Sequence, residues 1–331
     1  MNRESLERNQ IPVYFASTAI AAIGGILAPE AAGNLDVLVT PAIAALMYAM
    51  FLQIPFLDLK QGLSNKAFIS AVLVANFVLI PLLVWALTRG LHDHPALLIG
   101  ALLVLLTPCI DYVVVFTHLG KGDSRLILAA TPVLLLLQLL LLPLYLGVMT
   151  GGESGVVIAI APFVEAFLLL IGAPLLLAVA TAGLAKRSVI VDKWNAGWAW
   201  LPVPAMAAVL VVVIGSQIGS IVREIDRLVP VIPVYIAFMV LAPLVGALTS
   251  RMLELRAEVA RAVTFSSSTR NSLVVLPLAL ALPEDVRGLA AAAVITQTLI
   301  ELVSELVYVR AIPMLIWRRA NAYQEEIVTN R

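Results

Sequence analysis

Apolar runs of about 20 residues, the length that crosses a hydrocarbon core, recur from one end of this chain to the other. Short polar or basic segments separate them. The pattern predicts ten helices, over roughly 11–29, 36–56, 67–89, 96–118, 126–149, 160–184, 201–222, 229–250, 261–282 and 288–317. Two of the ten are interrupted in mid-span. The fourth carries Thr107-Pro108-Cys109-Ile110-Asp111, and the ninth carries Ser266-Ser267-Ser268-Thr269-Arg270-Asn271-Ser272. Pro108 removes a helical donor and clashes with the preceding turn, so it marks a helix break. Seven consecutive polar residues do not suit a helix facing lipid, whereas hydroxyls can satisfy the backbone of an unwound stretch.

The segment 186–200 carries Trp194, Trp198 and Trp200 beside Lys186, Arg187 and Lys193, and reads as an interfacial linker. Five predicted helices lie on either side of it. An odd-numbered repeat must insert the second time with opposite orientation. The expected fold is therefore all-α and polytopic, with ten transmembrane helices as two inverted five-helix repeats, and helices 4 and 9 broken and crossing. The repeats would cover 1–150 and 151–331, the linker falling in the second, as one transporter domain.

Basic residues orient this arrangement. With both termini cytoplasmic, the outside loops hold Arg89, Arg223, Arg227 and Arg287, while most other Lys and Arg fall inside. That predicts a multi-pass protein of the inner (plasma) membrane, in contact with lipid. The N-terminal segment shows no small-residue cleavage site, so no cleaved signal is expected.

Composition narrows the function. The chain is 61% hydrophobic and 13% charged, with a formal net charge of zero. A soluble domain would be about 25% charged. Zero net charge points to no nucleic-acid partner. One cysteine excludes an intramolecular disulfide and a multi-cysteine metal site. No Gly-rich phosphate loop is present, and Cys109 has no histidine partner at membrane depth, since His92 and His94 lie in an outside loop and His118 lies more than about two turns along the helix. No cofactor is expected, and an enzyme is not.

Charges at membrane depth carry the candidate chemistry. Asp111 and Arg270 lie in the two breaks and would neutralise one another if the breaks cross. Helix 10 carries Gln297, Glu301 and Glu305 at intervals of four, one stripe on an otherwise apolar helix. A carboxyl group there can load and release a proton, which makes Glu301, with Asp111, the candidate for proton coupling.

Ten helices in two inverted fives, broken at helices 4 and 9, resemble the bile acid:sodium symporter superfamily. Within it, Pro108-Cys109 and Leu299-Ile300-Glu301 resemble the arsenical-resistance permeases, which export arsenite. The resemblance implies functional roles for Cys109 and Glu301. Sodium-coupled relatives tend to carry an acidic residue followed by Gln-Asn in helix 9, and the arsenical branch commonly has Asn-Asn with a glutamate soon after. This chain has Ser266 and Arg270-Asn271 in that region. A fixed guanidinium would repel sodium.

The expected activity is arsenite or antimonite efflux by proton antiport with alternating access. Trivalent arsenic is soft and favours sulfur, so Cys109 would bind the metalloid while the hydroxyls of Thr107, Ser267 and Ser268, with Asn271, hold its oxygens. The expected partners are a small-molecule or metalloid substrate and protons. The alternatives are an organic-anion transporter of the same superfamily, not sodium-coupled, with Arg270 gripping a carboxylate, and a channel or receptor-like membrane protein. Oligomeric state has no signal in the sequence.

Overall fold

A computed structural model describes residues 9–53, 65–110, 112–150, 168, 172–223 and 225–316. The described residues are overwhelmingly helical, and they divide into two compact units. Both units draw on both halves of the sequence. One comprises Met1–Ile54, Ile158–Val229 and Leu276–Ile295, and the other Pro55–Val157, Pro230–Val275 and Thr296–Arg331.

In the first unit, α1 (Gln10–Leu27) and α2 (Asp36–Phe51) pack against α9 (Pro202–Arg223). Helix α2 also meets α7 (Ala173–Ala185). The Tyr48 hydroxyl is 2.9 Å from that of Thr181 and accepts from the indole of Trp194 at 3.1 Å. Trp194 belongs to α8 (Val189–Trp198), a helix without a buried residue. The tryptophan-rich segment expected as an interfacial linker is thus itself partly helical. Of the sixth predicted span, 160–184, residues 160–167 and 169–171 lie outside the described residues.

The second unit holds α3 (Lys66–Leu91), α4 (Pro95–Leu105), α5 (Val113–Leu119), α6 (Ser124–Thr150), α10 (Ile232–Met252) and α11 (Ala257–Ser268). Asn65 caps α3 by accepting from the Phe68 N–H at 3.0 Å. Helix α3 widens into a π turn over Ala75–Leu79, which turns Asn76 into the core. Helices α10 and α11 run in close contact at Gly246. A Cβ there would lie 2.7 Å from the Thr264 Cα and would also strike Ser267. Two further helices, α12 (Ser272–Leu280) and α13 (Glu284–Leu315), begin or end in this unit.

Among the described residues, five helices are long and apolar enough to cross a membrane: Lys66–Leu91, Ser124–Thr150, Pro202–Gly219, Ile225–Met252 and Asp285–Leu315. Shorter apolar helices accompany them, among them Pro95–Leu105 and Val37–Phe51. Leu140, Val148, Leu176, Met252 and Met314 are exposed, while Arg270, Glu301 and Glu305 are fully buried. Apolar residues outside and charges inside are the distribution that a lipid solvent imposes.

Candidate functional site

The site is built where two broken helices meet within the second unit. Helix α4 ends at Leu105, and helical structure is next recorded in α5, from Val113. Between them Thr107 returns its hydroxyl to the Leu103 carbonyl at 3.0 Å and the Val104 carbonyl at 3.1 Å. Helix α11 ends at Ser268, and Thr269 is extended, with φ −99° and ψ 130°. Its polar run does not demand water. Thr264 bonds back to the Ala260 carbonyl at 2.8 Å, and Ser268 to the Thr264 carbonyl at 2.7 Å.

The two extended breaks pair as a single antiparallel bridge, Pro108 opposite Arg270. The Cys109 N–H donates to the Thr269 carbonyl at 3.0 Å, and the Asn271 N–H donates to the Thr107 carbonyl at 2.8 Å. Neither bond uses the nitrogen of Pro108, so proline costs the bridge nothing. The Asn271 side chain then caps α12, accepting from the Val274 N–H at 3.2 Å. Backbone groups freed by both breaks therefore find partners inside the protein.

The Arg270 side chain turns back along α11. Its Nη2 donates to the carbonyls of Ser266 at 2.8 Å and Ser267 at 2.7 Å, and to Oδ1 of Asn76 at 2.8 Å. Nη1 reaches the Leu105 carbonyl at 3.4 Å, and the guanidinium lies 5.5 Å from the centre of the Phe238 ring. Asn76 completes the group by donating to Ser266 Oγ and to the Val72 carbonyl, both at 3.0 Å. The cation thus sits in a cage of oxygens, two of them at the carbonyl end of a helix, where the dipole favours positive charge.

Helix α13 turns Gln297, Glu301, Glu305 and Tyr308 inward and leaves Val303, Val307 and Met314 exposed. Glu301 accepts three donors: the Tyr112 hydroxyl at 2.5 Å, the Arg270 backbone N–H at 2.9 Å and the Gln297 amide. The Tyr112 hydroxyl also lies 3.1 Å from the Arg270 carbonyl. Glu305 is held differently. Thr269 Oγ1 lies 2.6 Å from Oε1 of Glu305 and 2.8 Å from the Phe265 carbonyl. Oε2 of Glu305 is buried without a hydrogen-bond partner.

Of the residues singled out from sequence, Thr107, Pro108, Cys109, Ser267, Ser268, Arg270, Asn271 and Glu301 all fall in this region and are buried. Asp111 lies outside the described residues. The Ser267 hydroxyl donates to the Thr264 carbonyl at 3.0 Å, so this proton, like those of Thr107 and Ser268, is turned to backbone. Cys109 is fully buried within electrostatic reach of Arg270. Tyr112, Asn76 and Thr269 belong to the site without having been singled out as functional. Tyr112 lies three residues past the thiol, in the same broken segment, which was its only signal.

Paired broken helices and charges buried among apolar helices are features of polytopic membrane transporters. The family model described as the Sodium Bile acid symporter family matches residues 40–224, more than half of the chain, and the chain belongs to that family. It is also similar to the Arsenical-resistance protein Acr3 of Corynebacterium glutamicum, 26% identical over 112 residues. That match covers 34% of this chain and 30% of the relative.

Proposed function

We propose that this transporter exports arsenite or antimonite by proton antiport. One observation carries the reading: the thiol of Cys109 is buried in the bridge between the two breaks, whose other strand, at Arg270, is hydrogen-bonded to Glu301. A thiol suits a soft trivalent metalloid, and a single thiol allows release. A carboxyl group tied to the backbone of the same bridge suits a coupled proton. The similarity to an arsenical-resistance protein supports the choice of substrate.

In this reading Cys109 binds the metalloid, Thr107, Ser267, Ser268 and Asn271 border it, and Glu301 and Asp111 take part in proton coupling. Ten transmembrane helices form two inverted repeats, 1–150 and 151–331, with both termini cytoplasmic in the inner (plasma) membrane. Both breaks belong to one compact unit, which supports alternating access by movement of that unit as a body.

Sodium coupling has less support. The oxygen cage of Asn76, Ser266, Ser267 and Leu105 already holds a cation, and that cation is covalently part of the chain. The organic-anion alternative needs Arg270 to grip a carboxylate, but both terminal nitrogens are engaged by these oxygens. The deciding experiment is uptake of arsenite, antimonite and organic anions into everted vesicles under an imposed pH gradient, with and without sodium. Arsenite uptake that needs the gradient and ignores sodium supports the reading. Organic-anion uptake without arsenite uptake overturns it.

A further inference from the structure

Glu305 is not needed for the reading just given, yet it is as deeply buried as Glu301. Among the described residues, the charged side chains that are fully buried are Arg270, Glu301 and Glu305. The core thus holds one guanidinium and two carboxyl groups, the latter one helical turn apart on α13, with Glu301 also bonded to the Arg270 backbone. Two ionised carboxylates beside a single cation would leave a net negative charge in a low-dielectric core, which is costly. Charge balance therefore requires one proton for the pair.

Hydrogen bonding decides which carboxyl carries it. Glu301 has three donors, two of them on Oε2, and the guanidinium of Arg270 nearby; that environment suits an anion. Glu305 has no comparable set. A threonine hydroxyl owns one proton. Thr269 Oγ1 nevertheless lies within hydrogen-bond distance of two acceptors, the Phe265 carbonyl at 2.8 Å and Glu305 Oε1 at 2.6 Å. Both contacts are satisfied together when Thr269 donates to Phe265 and Glu305 supplies the other proton. Tyr112 faces a similar choice, but its contacts are unequal, 2.5 Å to Glu301 and 3.1 Å to the Arg270 carbonyl, so its proton belongs to Glu301.

We propose that Glu305 is a proton-binding residue of this transporter: at rest it is a neutral acid donating to Thr269, while Glu301 is the anion that balances Arg270. Among the described residues, the other titratable or charged groups around the pair are Tyr112 and Cys109 on the first break, Arg270 on the second, and Tyr308 on α13. When Glu305 gives up its proton to water, the Thr269 hydroxyl can turn from Phe265 to donate to the carboxylate. The use of this proton in transport rests on the antiport reading; its presence on Glu305 does not.

Infrared difference spectroscopy of the full-length protein in lipid at pH 7 tests the assignment. The parent should show the C=O stretch of a buried protonated carboxyl group. Glu305→Gln should abolish that band, and Thr269→Val, which removes the hydrogen-bond acceptor, should shift it. Tyr112→Phe should leave its position unchanged. A band that survives Glu305→Gln, or one that moves with Tyr112→Phe but not with Thr269→Val, overturns the proposal. Thermal unfolding provides a second reading. Glutamine mimics the neutral acid and can donate to Thr269, so Glu305→Gln should unfold close to the parent. Glu301→Gln, by removing the counter-charge of Arg270, should force Glu305 to ionise and abolish the band as well. A band that survives Glu301→Gln also overturns the proposal. Failure of arsenite uptake in the parent would sink the antiport reading and leave these spectra untouched. Arsenite uptake together with a band insensitive to Glu305 would sink the proposal alone.

Discussion

The guanidinium of Arg270 donates to Oδ1 of Asn76 at 2.8 Å, joining residues 194 apart in sequence through a π turn in α3. Three other oxygens complete the cage, so protein groups hold a full positive charge in the core. Arg270 also lends its backbone to both functional neighbours: it is paired opposite Pro108 and donates to Glu301. One residue therefore joins the two breaks to the polar stripe of α13.

Removing that charge should be costly. Arg270→Met would leave the carboxyl pair without its cation and Asn76 without its donor. Truncating one member of a buried charge group costs about 3–5 kcal/mol. The expected outcome is a markedly lower unfolding temperature in detergent, with Arg270→Lys intermediate because an ammonium lacks the planar fork. A stability equal to the parent's would contradict the cage.

Transport should not depend on sodium. Uptake into everted vesicles at fixed pH gradient is expected to be the same in sodium and in potassium or choline buffers. The physical reason is that the cage already contains a cation that cannot leave. A tenfold stimulation by sodium, equivalent to about 1.4 kcal/mol of coupling, would exclude this account.

The thiol should matter for chemistry more than for packing. Cys109→Ser replaces sulfur by oxygen at nearly constant volume, and the Cys109 N–H bond to Thr269 is unaffected by the side chain. Arsenite export is expected to fall by at least about tenfold, one decade being about 1.4 kcal/mol, while the unfolding temperature moves little. Export rates at parental level would remove the thiol from the mechanism.

The sequence made some of this legible. Pro108 and the run Ser266–Ser272 mark both breaks, because proline and consecutive polar residues violate the demands of a lipid-facing helix. The polar stripe of α13 follows from spacing alone. Other relations depend on which backbone oxygens come together, and side-chain pattern does not encode that. A guanidinium in one break and a carboxylate in the other suggested a pair, Asp111 with Arg270. Among the described residues the guanidinium is taken up by amide and carbonyl oxygens, two of them from its own helix; Asp111 lies outside the described residues. Glu301 and Glu305 look alike in the stripe. Only their partners, three donors against one shared hydroxyl, distinguish them.

The close approach of α10 to α11 gives a test that leaves the charges alone. Gly246 lies where α10 meets the polar run of α11, and Ser267 reaches across toward the Ala242 carbonyl at 3.4 Å. A methyl group at Gly246 would meet the Thr264 Cα at 2.7 Å, which is backbone-attached and cannot swing aside. Gly246→Ala must then push the helices apart, and overpacking of this kind costs about 1–3 kcal/mol. The displacement would act on Ser266 and Ser267, whose carbonyls hold Arg270, so transport should fall together with stability. Gly147→Ala in α6 is the control, since nothing lies within 4 Å of a Cβ there. On a helix it should be neutral or slightly stabilising, because alanine is the better helix former by about 1 kcal/mol. Unfolding temperatures of the two variants, measured side by side, should therefore move in opposite directions or differ by several degrees. If Gly246→Ala unfolds with the parent, the helices do not touch at this point and the oxygen cage is not rigidly built.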